Sequence, residues 1–187
     1  MLFSGGGVAS GKTHALAHSA AARSLMAHAE IVQDSTMSTL QRAQPRIDEA
    51  LAAGRSVQLI YVYAPIEQAV HWLVQRGMRH GRSVPAASMA RTHWQSQQTV
   101  LALADRYRDD PRVRLQLLIN RIGADGLLLP IEQLRPLRYA ADPRFPDEAA
   151  FSRYVNTLVA RELQVRDLDP HPSDPSAELR ESLLDHD

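Results

Sequence analysis

The sequence contains no cysteine and only one lysine among its 187 residues. Without cysteine the chain has no disulfide framework, no thiolate nucleophile and no zinc site built on cysteine. This absence fits a reducing compartment. The positive charge of the chain comes from twenty arginines and from the single lysine, Lys12.

Neither sign of charge predominates, since 21 basic side chains balance 21 acidic ones and the sequence pI is about 7.1. Long-range electrostatics therefore give no reason to expect binding to nucleic acid or to a membrane surface. No apolar run approaches the ~20 residues that a transmembrane helix needs. No signal peptide is visible at the amino terminus. We expect a cytoplasmic protein with neither a membrane nor a nucleic-acid partner.

The residues from Gly6 to Thr13 have the pattern G-x-x-x-x-G-K-T of a phosphate-binding loop. Glycines let backbone N–H groups close around a phosphate without Cβ clashes. The ammonium group of Lys12 would lie near the β- and γ-phosphates, and the Thr13 hydroxyl would bind Mg²⁺. The single lysine thus stands where a compact point charge suits phosphate groups. The predicted nucleotide-binding residues here are Gly6, Gly7, Val8, Ala9, Ser10, Gly11, Lys12, Thr13 and His14.

Strand-like and helix-like patterns alternate after this loop. Apolar, β-branched stretches predict strands over residues 1–4, 29–33, 56–63 and 112–119, with a further pairing segment at 127–129. Helical patterns cover residues 13–28, 38–53, 66–77, 85–104 and 151–163. This order predicts an α/β fold of the P-loop NTPase type, a parallel sheet with helices on both faces.

Three regions are expected along the chain. Residues 1–129 would form a P-loop kinase-like core, and residues 130–165 a C-terminal helical extension. Residues 166–187 are acidic and rich in proline, which predicts a flexible tail.

Asp34 follows the second predicted strand, so its side chain is expected in the same cleft as Lys12, because ligands bind at the carboxyl ends of parallel strands. One role is that of general base toward a substrate hydroxyl, and another is to hold Mg²⁺ directly or through water. The structural alternative is that Asp34 caps the following turn together with Ser35 and Thr36. Thr36 is a lesser candidate for contact with the substrate.

The segment VQRGMRHGRSVP carries Arg76, Arg79 and Arg82 among two glycines that interrupt the helical pattern. Guanidinium groups on such a segment suit a lid that neutralises a transferring phosphoryl group. The alternative is a solvated turn with ordinary surface arginines. His14 and His18 have a spacing found in zinc sites, but the sequence offers no evident third ligand.

Features that the sequence lacks separate the classes of P-loop protein. No acidic pair follows a predicted strand, whereas hydrolysing motors use such an acid to hold Mg²⁺ and polarise water. The segment at Asn120 is not the Asn-Lys-x-Asp motif that recognises guanine. A small kinase that uses ATP and Mg²⁺ therefore fits better than an ATPase motor or a GTPase switch.

Four stretches, in order, resemble the zeta-toxin family of P-loop kinases: GGGVASGKT, IVQDST, QRGMRHGRSVP and LLINRIG, within residues 1–123. The resemblance implies that Lys12 and Thr13 bind ATP and Mg²⁺, and that Asp34 and Thr36 face the acceptor. It places Arg79 or Arg76, with Arg82, on the phosphates, and Asn120 and Arg121 near the adenine. It also implies a small-molecule acceptor, which is UDP-N-acetylglucosamine in the toxin branch, and an antitoxin-like protein partner.

The sequence departs from that family in two places. The toxins have a long helical insertion, which carries the catalytic base, between the helix after the phosphate-binding loop and the next strand. Here Asp34 follows Thr13 closely, so the chain has no such insertion. Asp34 also stands where the toxins have glutamate. On this basis Lys12, Asp34, Arg79 and Arg82 are the predicted catalytic residues, and Thr13 and Asp34 the predicted Mg²⁺ ligands. The alternative function is a regulatory ATP-binding module, without catalysis, of a larger assembly.

Overall fold

A five-stranded sheet in the order β2-β1-β3-β4-β5 forms the centre of the molecule. The computed structural model describes residues 1–81, 83–168 and 182–184. The strands are β1 (Leu2–Gly5), β2 (Val32–Asp34), β3 (Val57–Tyr63), β4 (Val113–Ile119) and β5 (Leu128–Pro130). The helices are α1 (Lys12–His18), α2 (Ala20–Ala27), α3 (Leu40–Ala52), α4 (Ile66–His80), α5 (Ala86–Arg106) and α6 (Glu148–Leu168). Two 3-10 helices, Ile131–Leu137 and Tyr139–Ala141, lie between β5 and α6.

The first four strands are parallel, and only the pairing of β4 with β5 is antiparallel. In the register of β1 with its neighbours, Ser4 lies opposite Asp34, and Gly5 lies opposite Tyr61. The carboxyl ends of the parallel strands therefore meet at one edge of the sheet. The loop that follows β1 and the turn that follows β2 lie side by side at this edge.

Helices cover both faces of the sheet because each central strand is apolar on both of its sides. On one face, Leu2, Ile60 and Val62 pack against α1 and α2. On the other face, Phe3 and Leu59 pack against α3 and α5. The predicted α/β class, a parallel sheet with helices on both faces, is confirmed.

A third apolar cluster joins α4, α5 and α6 beside the sheet. Its centre is aromatic: Phe151 of α6 is fully buried and its ring stacks on Tyr139, with ring centroids 4.3 Å apart. Leu183, near the carboxyl terminus, is also buried in this cluster. Within the described part of the chain, no helix is both long and apolar enough to cross a membrane.

Several element boundaries differ from those predicted. The helix predicted over residues 13–28 is two helices, since Ser19 adopts an extended conformation between α1 and α2. The strand predicted at 29–33 is Val32–Asp34, and α6 continues to Leu168. Arg82 and most of the predicted tail lie outside the described residues.

Ser19 closes α1 and caps α2. Its Oγ accepts a hydrogen bond from the backbone N–H of Ala22 at 3.2 Å and donates to the carbonyl oxygen of Gly126 at 2.5 Å. We expect Ser19→Ala to lower the free energy of unfolding by about 1 kcal/mol, as for other caps. Urea unfolding measures this loss, and Ser24→Ala on the exposed side of α2 is the control. Equal effects of the two variants would contradict the role assigned to Ser19.

Candidate nucleotide-binding site

The glycine-rich loop connects the end of β1 to the first turn of α1. The N–H of Ser10 donates to the carbonyl oxygen of Gly7 at 3.2 Å, which closes the loop into a turn. The N–H of Ala15 donates to the carbonyl oxygen of Gly11 at 2.9 Å, so the helix begins directly at the motif. The loop thus places backbone N–H groups and the positive end of α1 on the same side, which is the arrangement that binds phosphate.

The backbone conformation of this loop restricts which residue types can occupy its positions. Gly6 has φ 147°, and a Cβ there would lie 2.5 Å from the carbonyl oxygen of Val62. Ala9 has φ 56°, which is uncommon for a residue with a side chain. Such strained conformations cluster at ligand-binding sites, where the surrounding structure holds them.

The ammonium group of Lys12 is half-buried at the mouth of the loop and donates to the carbonyl oxygen of Gly6 at 3.2 Å. Burial lowers the pKa of Lys12; the nearby Asp34 opposes this shift, and Arg76 adds to it. Two cations therefore share a partly desolvated space with one carboxylate. A bound polyphosphate would relieve this imbalance.

Asp34 lies at the carboxyl end of β2, beside the loop. The Ser4 hydroxyl donates to Asp34 Oδ1 at 2.6 Å and so fixes the orientation of the carboxylate. The turn after β2 is closed by Ser35 instead, whose Oγ accepts from the N–H of Met37 at 3.1 Å. The Asp34 carboxylate is therefore held by β1, and its charge lies near that of Lys12.

A cleft of about 720 Å³ brings most of the predicted residues together. This volume is within the range of ~300–1,000 Å³ typical of small-molecule sites. Its lining includes ten predicted residues: Ala9, Ser10, Gly11, Lys12, Thr13, His14, Asp34, Arg76, Arg79 and Asn120. It also includes three residues that sequence reasoning did not single out, Trp72, Gln75 and His80 of α4. The way α4 packs against the other helices places these three side chains in the cleft, and no sequence motif indicates that packing.

Two buried polar atoms of this cleft lack a protein partner among the described residues, Ser10 Oγ and Arg76 Nε. Buried polar atoms in folded proteins are rarely left without a hydrogen bond. Both residues line the cleft, and phosphate oxygens are acceptors that suit a hydroxyl and a guanidinium group. The cleft therefore has unused hydrogen-bonding capacity for an anionic ligand.

Asn120 lies at the end of β4 and braces the loop. Its Nδ2 donates to the carbonyl oxygen of Ser10 at 2.8 Å. Arg121 lines a second cavity of about 320 Å³ that also includes Gln68. The two cavities share His14, Trp72 and Asn120, so they adjoin each other. A nucleotide with its phosphates at the loop would have the second cavity available for its base.

The remaining candidates lie elsewhere. Thr36 lines a separate cavity of about 180 Å³ with Arg42 and Arg46, and Arg82 is outside the described residues. The rings of His14 and His18 stack with centroids 3.9 Å apart. Among the residues described, no group of three or more His, Cys, Asp or Glu side chains could hold a metal ion.

Helix α5 contacts the loop through two residues that sequence reasoning missed as site residues. Thr92 and His93 both bond to the backbone of Val8, at 3.1 and 2.7 Å. Burial lowers the pKa of His93 to about 4, so the imidazole is neutral at physiological pH. These residues are 84 and 85 positions from Val8, and no local sequence signal reports so distant a contact.

A model of the zeta-toxin family, described as "Zeta toxin", matches residues 6–121 of this chain. A comparison with curated protein sequences gives no match. The matched range contains the glycine-rich loop, Asp34, α4 and Asn120, which are the elements that form the cleft.

Among solved structures, the complex of AvrRxo1-ORF1 and AvrRxo1-ORF2 is similar in fold. In its native form the TM-score is 0.55 at 16% identity, with 87% of this chain and 79% of that chain covered. In the form with sulphate ions it is 0.54 at 14% identity, covering 87% and 80%. In the form with ATP it is 0.51 at 16% identity, covering 68% of this chain and 57% of that one. The chain thus spans little more than half the length of the chain that it matches in the ATP-bound structure.

The buried His93 predicts a dependence of stability on pH. Its pKa is about 4 in the folded state and 6.5 as a free group, so below neutral pH the unfolded chain takes up a proton that the native state does not. The stability contributed above pH 6.5 is therefore lost as the pH falls toward 4. From pH 7 to pH 5 we expect the free energy of unfolding to fall by about 2 kcal/mol through this residue. Urea unfolding of wild type and His93→Gln measures it, and equal pH slopes would contradict the assignment.

Proposed function

This chain belongs to the zeta-toxin family, and we propose that it transfers the γ-phosphoryl group of ATP to a hydroxyl group of a small molecule. The observation that carries the proposal is the cleft in which Lys12, Arg76 and Asp34 meet beside the phosphate-binding loop. The first two supply positive charge for a transferring phosphoryl group, and the third is a carboxylate held in a fixed orientation.

The loop and α4 supply the groups that bind and polarise the triphosphate. Backbone N–H groups of the loop and the Lys12 ammonium would contact the β- and γ-phosphates. Arg76, whose Nε is buried without a partner in the described structure, would donate to the oxygens of the transferring group. Arg79 lines the same cleft, on the turn of α4 that follows Arg76. Together these cations stabilise the charge that develops as the bond between the γ-phosphorus and its leaving oxygen breaks.

Asp34 would act on the acceptor. Its carboxylate takes the proton of the acceptor hydroxyl as the oxygen forms its bond to the γ-phosphorus, and ADP leaves. The Ser4 hydroxyl, which donates to Oδ1, orients the carboxylate for this transfer. The charges of Asp34 and Lys12 lie close together. Lys12 would therefore bind the nucleotide and Asp34 the acceptor in adjacent parts of one cleft.

The residues present fit a magnesium ion. Thr13 and Asp34 both line the cleft and both offer oxygen ligands, which Mg²⁺ prefers. Mg²⁺ keeps several waters and binds through one or two protein groups together with phosphates, so it needs no larger cluster of acidic residues. When bound, the ion would neutralise charge on the β- and γ-phosphates.

Two further elements of the proposal come from the similar solved structures. AvrRxo1-ORF1:-ORF2 was solved with ATP and with sulphate ions, and we extend the binding of ATP to this chain. It was solved as a complex of two components, and we extend to this chain an antitoxin-like protein partner. The alternative function, a regulatory module that binds ATP without transfer, uses the same loop and differs only in the role of Asp34.

The decisive measurement is ADP release from ATP and Mg²⁺, alone and with a panel of hydroxyl-bearing metabolites that includes UDP-N-acetylglucosamine. Lys12→Ala should reduce acceptor-dependent release by at least about 100-fold, because one preorganised donor to a developing charge contributes on that scale. Arg114→Ala, an exposed cation on β4, is the matched control. Tight ATP binding without release for every acceptor would favour the regulatory module.

Asp34→Asn separates catalysis from binding because it removes the charge and the proton-accepting group while keeping the size of the side chain. If Asp34 is the base, the rate should fall by roughly 10²- to 10⁴-fold. The affinity for ATP in the absence of Mg²⁺ should not be weakened, because Asp34 then makes no contribution to binding through the ion. Single-turnover phosphoryl transfer and equilibrium binding of a fluorescent ATP analogue measure the two quantities. Asp109→Asn, on an exposed turn, is the control. An unchanged rate would remove Asp34 from the mechanism.

A further inference from the structure

Both backbone polar groups of Val8, in the middle of the phosphate-binding loop, are bound by α5. The N–H of Val8 donates to Thr92 Oγ1 at 3.1 Å, and the carbonyl oxygen of Val8 bonds to His93 Nε2 at 2.7 Å. The Thr92 hydroxyl in turn donates to the carbonyl oxygen of Met89 at 2.9 Å, which fixes its rotamer and leaves a lone pair for Val8. Two adjacent residues of α5 thus bind both the N–H and the carbonyl oxygen of Val8.

The protonation state of His93 follows from its partners. A carbonyl oxygen only accepts, so Nε2 must carry the proton that it shares with Val8, and in the neutral ring Nδ1 is then an acceptor. Burial keeps the ring neutral, since it lowers the pKa to about 4. The hydroxyl oxygen of Tyr139 lies 3.4 Å from Nδ1, and its single proton is donated to the carbonyl oxygen of Ala64 at 3.0 Å. The contact between Tyr139 and His93 is therefore one of packing.

The loop also has no room to move toward α5. A Cβ at Gly7 would overlap the His93 ring, so glycine is what allows the backbone to rest on the imidazole. The ring is thus a packing surface for Gly7 as well as a hydrogen-bond donor to Val8. Any shift of the ring would be transmitted to the two loop residues that precede the strained Ala9.

Tyr139 ties this arrangement to the C-terminal extension, residues 130–165. Its N–H donates to Gln97 Oε1 of α5 at 2.9 Å, and its ring stacks on Phe151 of α6. Phe151 is fully buried between Trp94 and Phe145, with ring centroids 5.7 and 5.2 Å away. A continuous set of buried contacts therefore runs from α6 through Tyr139 and His93 to the loop.

We propose that Thr92 and His93 are positioning residues of the nucleotide loop, and that Tyr139 makes the C-terminal extension part of this support. The extension lies beyond residues 6–121, which the family model matches, so the support comes from a region outside that match. The inference rests on the proposed function in one respect, namely that the loop binds the phosphates of ATP. Its structural part, the fixed position of Val8, can be tested without nucleotide.

The test compares pairs of variants that differ in one hydrogen bond. Thr92→Val and His93→Leu remove the groups that bond to Val8, and Thr92→Ser and His93→Gln restore a hydroxyl and an N–H donor. Tyr139→Phe removes the hydroxyl group and keeps the ring on Phe151. The controls are Thr99→Val, at another buried threonine of α5, and Tyr154→Phe, which removes a hydrogen bond from α6 to Glu67 without touching the loop.

Two quantities are measured on the full chain: the hydrogen-exchange rate of the Val8 amide without nucleotide, and the dissociation constant of a fluorescent ATP analogue. An unsatisfied buried backbone group costs enough to weaken ATP binding roughly 5- to 30-fold. We expect this weakening and faster exchange of Val8 in Thr92→Val and His93→Leu, and recovery in Thr92→Ser and His93→Gln. Tyr139→Phe should weaken ATP binding and speed Val8 exchange to a smaller extent, and the control variants should change neither quantity.

Each outcome decides one part. If Thr92→Val and His93→Leu lower the unfolding temperature but match Thr99→Val in Val8 exchange and ATP affinity, the pair is merely part of the core and the positioning role is wrong. If Tyr139→Phe matches Tyr154→Phe, the extension does not support the loop. If the wild-type protein does not bind the ATP analogue, the proposed function fails, and the exchange rates of Val8 still decide the positioning role.

Discussion

The structure depends on the concentration of positive charge and backbone N–H groups in one small space at the edge of the sheet. Lys12 is half-buried beside Arg76, and burial already disfavours its charge. This arrangement is unfavourable by itself, and the same loop holds Ala9 at φ 56°, which is uncommon for a residue with a side chain. Under the proposed function, the free energy of binding a polyphosphate would offset this cost.

Much of the fold could be predicted because its signals are local. The glycine-rich motif, the β-branched strand β3 and the helical stripe of α4 each determine a structure over a few residues, and the topology of parallel sheets then brings Asp34 next to Lys12. The division of the first helix at Ser19 could not be predicted in this way. Ser19 is held by the carbonyl oxygen of Gly126, 107 residues away, and alanine-rich sequence on both sides favours an unbroken helix.

In the candidate site, too, local sequence patterns predict some residues, while contacts between distant parts of the chain place the others. The sequence predicted that Lys12 and Asp34 lie in one cleft, since Lys12 is part of the motif and Asp34 follows a strand. It could not decide which cavity each later residue faces. Thus Arg79 lines the main cleft, Arg121 lines the adjoining one, and Thr36 lines a third. The direction of each side chain decides which cavity it lines, and this direction depends on how α4 and the turns after β2 and β4 pack.

His93 shows why a polar residue stands in the interior behind the loop. A buried neutral imidazole lowers stability in mildly acidic solution, because the unfolded chain takes up the proton that the native state does not. An apolar residue of similar size would avoid this loss but would leave the carbonyl oxygen of Val8 without a donor, and burial of an unpaired carbonyl group is costly. A lysine or arginine would supply the donor with a charge that the interior cannot solvate. Histidine combines a neutral donor for Val8, a flat surface for Gly7 and a ring that packs against Tyr139. The residue behind the loop is therefore constrained by the backbone that it holds, and through Tyr139 that constraint reaches the helix at the far end of the chain.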